Sequence, residues 1–258
     1  TVTISYTGPD AYKYIFPVTT ISGDITVKTL AVTATGNNKN YDGTTDATVN
    51  FSDDRVGGDV FTVTGTSTFA DKNVGTGKVV TVSGIALTGT DAGNYAANSS
   101  TVTSADIAAL AITVTAQADS KEYDGTTSSI VLPLISPALA TGDTATTSQT
   151  FDTAALGVTK TMTPAIVIAD GNSGNNYSVT LVPQNVGTVT AKSVTLAGIS
   201  ITSKVYDKLL SAILGTSTPT VVGVLPADIA DVSADMTLAT AAYDDSNVGT
   251  GKNVTVTG

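Results

Sequence analysis

Lys39-Asn40-Tyr41-Asp42-Gly43-Thr44-Thr45 recurs almost letter for letter as Lys121-Glu122-Tyr123-Asp124-Gly125-Thr126-Thr127, and a third time, altered, as Lys204-Val205-Tyr206-Asp207-Lys208. The three tyrosines stand 82 and then 83 residues apart. A period of that length is the size of a small domain, so the chain reads as a tandem array of one repeated unit. Asp-Gly between β-forming neighbours favours a tight turn with positive φ, and a strand is expected to reverse at Asp42-Gly43 and Asp124-Gly125. In the third copy Lys208 replaces the glycine, which puts the same turn type in question.

Two further anchors align with this one. An aromatic residue, a branched residue five positions later, then Gly and a following Lys recur at Phe69, Val74, Gly75 and Lys78, at Phe151, Leu156, Gly157 and Lys160, and at Tyr243, Val248, Gly249 and Lys252. The distance from motif tyrosine to aromatic is 28 residues in the first two copies and 37 in the third, which places nine extra residues around Leu225 to Asp235. Pro226 sits there as at a helix start, so a helical turn is expected. The last anchor is Asn94-Tyr95 and Asn176-Tyr177. Gly8-Pro9-Asp10-Ala11-Tyr12-Lys13-Tyr14 aligns with Gly89 to Tyr95, so residues 1–29 read as the tail of a preceding repeat. Residues 30–110, 111–192 and 193–258 are then repeats one, two and three, the third lacking its closing strands.

Within each repeat, polar and apolar side chains alternate over short runs such as Thr1 to Thr7 and Leu30 to Gly36, the period of a strand with one buried face. About seven such runs per repeat, separated by turn signals, point to an all-β fold of small two-sheet β-sandwiches of Ig-like size. A β-grasp-like unit is the alternative, with a short helix at Thr153 to Leu156 or Ala227 to Ile229.

Composition narrows the function. Cys and His are absent, which removes disulfides, thiol chemistry and the commonest general base and zinc ligand. Net charge is −10, with Arg55 the one arginine, so neither a nucleic-acid nor an anionic-membrane surface is expected. All the acidic residues but Glu122 are Asp, which reads as turn chemistry. Paired carboxylates across a deep cleft, which glycoside hydrolysis needs, are not expected of small sandwiches in series. The reading is not an enzyme. With neither a signal-peptide pattern nor a long apolar run, the sequence reads as an interior piece of a longer chain.

With these anchors in place, the chain resembles the YDG repeats of large secreted bacterial haemagglutinin-type adhesins, and the related MBG repeats. The resemblance rests on the KxYDGTT motifs at Lys39 and Lys121, on Ala70 to Lys78 (ADKNVGTGK) and on Asp91 to Tyr95 (DAGNY). It implies a secreted or cell-surface location and an elongated rod, a stalk that projects a binding region, with no catalysis to transfer. Its partners would be neighbouring repeats of the same parent chain. A glycan- or host-protein-binding module and a filament subunit assembling by strand addition at open edges are the rival readings.

Three kinds of site follow. Tyr41, Tyr95, Tyr123, Tyr177 and Tyr206, with Tyr14, either stack sugars or close the end of their own sandwich, ring inside and hydroxyl bonded to backbone; Gly43, Gly125 and Asp207 then build the repeat beside them. Lysine-to-asparagine isopeptide cross-links, of the kind that staple some bacterial stalks, would use Lys39, Asp42 and Asn94 or Lys121, Asp124 and Asn176, and need a neutral amine and a protonated carboxyl. Calcium, the one candidate cofactor, would take Asp170 and Asn172, or Asp244 and Asp245, against the alternative of solvated turns.

Overall fold

The computed structural model describes residues 4–15 and 20–258. The chain is all-β, and its only helical segments among the described residues are the 3-10 turns Ala11–Lys13 and Ala92–Asn94. It divides into two compact units. One comprises the chain up to Lys39 together with Thr44–Ile107, and the other Asn40–Gly43 together with Ala108–Gly258.

The second repeat shows the design most fully. Four strands in the order Asp119–Glu122, Gln184–Thr190, Gly157–Ala169, Thr144–Phe151 form one sheet, and three in the order Leu134–Ser136, Leu110–Thr115, Tyr177–Val182 form the other. Leu110–Thr115 runs parallel to Tyr177–Val182, and Asp119–Glu122 runs parallel to Gln184–Thr190. The same two stretches of chain therefore pair along one sheet, step across, and pair again in the other. Buried Gln149 pins the step: its side-chain oxygen accepts from Gln117 N at 2.8 Å and its amide donates to Gln117 O at 2.9 Å. Those backbone groups fall between ladders and would otherwise lack protein partners.

Alternation along the strands places Ala116, Phe151, Met162 and Val189 in a common core with Tyr123 against it. Each large side chain there contributes about 1.5–3 kcal/mol through burial. Gly187 is part of the same fit, since a Cβ on it would lie 2.6 Å from Met162 Sδ and 2.9 Å from the Phe151 ring. In the first repeat the corresponding opener is split into Lys28–Leu30 and Thr33–Gly36. At the break Ala31 N donates to Asp54 Oδ1 and Val32 N to Asn98 Oδ1, each at 2.8 Å. Leu30, Val32, Phe61 and Tyr95 form the core beneath it.

The Tyr-Asp-Gly segment turns, but not as a hairpin. Asp119–Glu122 leads into it from one edge of the four-stranded sheet. Just beyond it Phe151 N donates to Thr127 O at 2.8 Å and Ser128 bridges Thr150, on the strand at the opposite edge. The two arms thus join the two edges of a curled sheet instead of pairing with each other. The other corners land in the same way: Phe69 N donates to Thr45 O and Tyr243 N to Leu210 O, both at 2.8 Å. Gly43 and Gly125 have φ of 82° and 76°, and Lys208 keeps the same left-handed conformation at 68°, so the third corner survives the loss of its glycine.

Other expectations change. Thr1 to Thr3 lie outside the described residues, and Ile4 to Thr7 carry no strand, because no described strand pairs with them. Gly8–Lys13 does repeat the turn of Gly89–Asn94, with Ala11 N bonded to Gly8 O as Ala92 N is to Gly89 O. Neither Thr153 to Leu156 nor Ala227 to Ile229 is helical; the latter is a turn closed by Asp228 N on Leu225 O at 2.9 Å. The third repeat holds three two-stranded pairs, and within 193–258 it has no counterpart of the strands Tyr177–Val182 and Gln184–Thr190 that knit the second repeat together.

In the first and second repeats the long central strand bends at the bulge before its lysine. Gly77 sits there at φ of 59° in the first, whereas the second repeat places Thr159, β-branched, at 59°; in the third repeat Gly251, outside any strand, precedes Lys252 at 65°. A branched side chain in that region carries a steric penalty that glycine avoids. Thr159→Gly is therefore expected to stabilise the protein by about 1 kcal/mol, read as an upward shift of the urea midpoint at unchanged slope.

Candidate functional site

Each corner is held from within by the lysine two residues ahead of its tyrosine. Lys121 Nζ reaches Asp124 Oδ1 and Thr126 O at 2.8 Å, then Thr126 Oγ1 and Ser128 O at 3.0 Å. Lys39 Nζ takes Thr44 O at 3.0 Å and Asp46 O at 2.8 Å, and Lys204 Nζ takes Asp207 Oδ1 and Leu209 O at 2.9 Å. The ammonium groups lie 5.5, 5.2 and 5.6 Å from the ring centres of Phe69, Phe151 and Tyr243 respectively. A cation over an aromatic face, with carbonyls from the arm beyond the turn around it, ties that arm to the strand that leads into the corner. This explains why the lysine and the aromatic recur together.

That geometry works against the cross-link expected from the sequence. The Lys121 amine and the Thr126 backbone N–H hold the Asp124 carboxyl down at about 2, so it is ionised near neutral pH and the pair is ionic. Isopeptide formation needs both partners neutral. The bonds of Lys121 stay within its own corner, whereas buried Asn176 is tied to Asp170 and Asn172. The structure thus brings Lys121 and Asp124 together without Asn176. In the first repeat Asn94 is exposed, on the 3-10 turn, and its backbone N–H bonds Asp91 O. The lysines of the second anchor are likewise in loop cages, Lys78 on Asp71 and Lys160 on Thr153 and Ala155.

The calcium candidates are also engaged. Asp170 is buried, and although desolvation pushes its pKa up, the N–H groups of Gly174, Asn172 and Asn176 outweigh this and the net direction is down. Its oxygens thereby organise the Asp170–Asn176 loop, with Asn172 bonded to Asn176. Asp245 and Asp244 both face Lys252, a cation already in place. Among the described residues no group of three or more acidic side chains is positioned to hold a metal ion.

The tyrosines form a site that the sequence did not disclose. Tyr177 Oη donates to Asp143 Oδ2 at 2.7 Å and accepts from Ala140 N at 2.9 Å. Tyr41 Oη donates to the same Asp143 oxygen at 2.8 Å, and the two rings meet edge to face at 5.5 Å. Tyr41 is 2% exposed. Its backbone N–H bonds Ala108 O at 2.8 Å. A Cβ on Gly43 would stand 3.1 Å from Thr141 O, so the corner seats closely. Contrary to expectation, Tyr41 does not close its own sandwich with its hydroxyl on backbone; with Asn40–Gly43 it belongs to the compact unit that begins at Ala108.

The pattern repeats one step along. The phenol of Tyr123 stands beside the Asp228 carboxylate, which raises its pKa, and its backbone N–H bonds Thr190 O at 2.9 Å. In the first repeat Tyr95 donates to Asp59 and accepts from Val56 N at 2.9 Å. Asp59, Asp143 and Asp228 each close the same turn, their N–H bonding Val56 O, Ala140 O and Leu225 O. Burial first, then the bond to Asp143, raises the pKa of Tyr177, while for Tyr95 the bond to Asp59 leads. Tyr206 has no such setting and is 54% exposed. Tyr41, Tyr95 and Tyr177 are buried, so the sugar-stacking face expected as an alternative does not form at those positions.

The family model of the YDG domain matches residues 26–104, 108–186 and 190–258. The chain belongs to the YDG domain family. Comparison with curated proteins and with solved structures gave no match. In this YDG array the residues overlooked from sequence are Asp59, Asp143 and Asp228. A Gly-Asp pair ahead of a strand in the first two repeats was the available signal, but the aspartates fall 18, 20 and 22 residues after their own motif tyrosines, so no fixed spacing exposes them.

Three expectations follow. Asp143→Ala strands two buried hydroxyls and should cost about 1–3 kcal/mol in urea unfolding. In a double-mutant cycle Tyr41→Phe and Tyr177→Phe should be non-additive, because they share one acceptor oxygen. Asp124 has a folded pKa near 2, below its ordinary 3.8, so its stabilisation is fully present above 3.8 and disappears as pH falls through about 2. Thermal melts of the protein and of Asp124→Asn should differ at about pH 5 and converge at the acid end.

Proposed function

We propose that these YDG repeats are structural spacer units of an extracellular bacterial adhesin or surface filament, holding a binding region away from the cell. The observation that carries this reading is the use made of the recurring motif. Its lysine is spent inside the corner, and Tyr41 and Tyr123 are spent on aspartates of the repeat that follows in sequence. The most regular residues in the chain build the array and leave little of themselves to display. Net negative charge and low charge density suit a solvated surface segment.

The rival reading, a glycan-binding module, would need aromatic faces open to solvent, and Tyr41, Tyr95 and Tyr177 offer none. A glycan array probed with this protein is expected to give no reproducible hits. Reproducible, saturable hits would replace the spacer reading with a recognition one. In the parent surface protein, adding or removing one repeat should change the reach of its terminal segment in step with copy number while leaving its ligand specificity unchanged.

A further inference from the structure

The socket that receives Tyr41 is built from four places: the Ala108 carbonyl, the Ala140 turn, the Asp143 carboxylate and the Tyr177 ring. The same four places exist in the first repeat. Thr26 stands where Ala108 does, because Lys28 is in register with Tyr95 as Leu110 is with Tyr177. Val56 N bonds the Tyr95 hydroxyl as Ala140 N bonds that of Tyr177, and Asp59 accepts from Tyr95 as Asp143 accepts from Tyr177. Around them lies an open cleft lined by Thr26, Lys28, Val56, Asp59, Asn94 and Tyr95. Among the described residues it holds no second tyrosine.

We propose that the Asp59–Tyr95 cleft is a docking site for the Tyr-Asp-Gly corner of another YDG repeat. The incoming phenol shares the Asp59 carboxylate with Tyr95, as Tyr41 shares Asp143 with Tyr177. The occupant is fixed by what fills the equivalent sockets of this chain, Tyr41 at Asp143 and Tyr123 at Asp228. Glycine is part of the recognition. A Cβ at Gly43 would be 3.2 Å from Ala140 Cβ and 3.1 Å from Thr141 O, and one at Gly125 would be 3.2 Å from Leu225 Cδ1. The third corner of this chain exposes Tyr206 but carries Lys208 in the glycine's place, in the same left-handed conformation. Its side chain would project into the wall of the socket, so Lys208 weakens the docking of that corner in the Asp59 cleft of a second copy.

The test is sedimentation equilibrium of the whole chain, with Lys208→Gly as the probe, because this single change supplies a glycine-bearing corner already shaped by Lys204. Lys208→Gly is expected to associate head to tail as concentration rises, about tenfold more tightly than the unaltered chain, a difference worth roughly 1.4 kcal/mol. Adding Asp59→Ala should abolish the association. Adding Tyr206→Phe, at an exposed position where folding is not at issue, should weaken it to the level of the unaltered chain. The proposal is overturned if Lys208→Gly sediments as the unaltered chain does up to millimolar concentration. It is equally overturned if association persists with both Asp59 and Tyr206 replaced.

Discussion

A carboxylate shared by two phenols is the contact on which this architecture turns. Asp143 accepts from Tyr177, at the start of a closing strand, and from Tyr41, more than a hundred residues earlier in the chain. A half-buried carboxylate needs donors, and a buried phenol needs an acceptor, so each partner makes the others tolerable away from water. The edge-to-face packing of the rings adds a geometric requirement that only an aromatic pair satisfies. Removing the carboxylate takes the acceptor from both buried phenols at once.

The lysine cage stands upstream of that contact. A tyrosine can be presented at the tip of a corner only if the corner keeps its shape, and a turn running from one sheet edge to the other has no ladder of its own. The ammonium group supplies the missing bonds by collecting carbonyls from beyond the turn, Ser128 O in one copy and Asp46 O in another. The aromatic ring beneath, Phe151 or Phe69, gives the charge a face to rest on while filling the core from its other side. Sheet closure, core packing and phenol presentation are thus linked through one side chain.

Much of this was written in local patterns. The 82-residue period, the alternation of apolar side chains and the left-handed glycines are properties of neighbouring residues, and the all-β fold followed from them. The corner was legible as a turn but not as an edge-to-edge crossing, because Asp-Gly imposes the same local φ in both and only the pairing partners differ. Lys208 shows the converse: propensity argued against its turn, and the surrounding cage imposed it. The acceptor aspartates were hidden for a different reason. Loop length before Asp59, Asp143 and Asp228 drifts by two residues from copy to copy, and in sequence each resembles the many aspartates that merely terminate turns. The lysines and asparagines singled out for cross-linking share each repeat, yet they are committed to separate loops.

Tyr41 lies in one repeat by sequence and in the following compact unit by packing. The segment that is copied and the segment that folds are consequently out of phase. A duplication or exchange of repeats along such a chain transplants half of two different joints. It succeeds only where the arriving corner and the resident aspartate already match. Neighbours are therefore selected as pairs, and an array of this kind is expected to diverge in its loops far more readily than at the residues by which one copy meets the next.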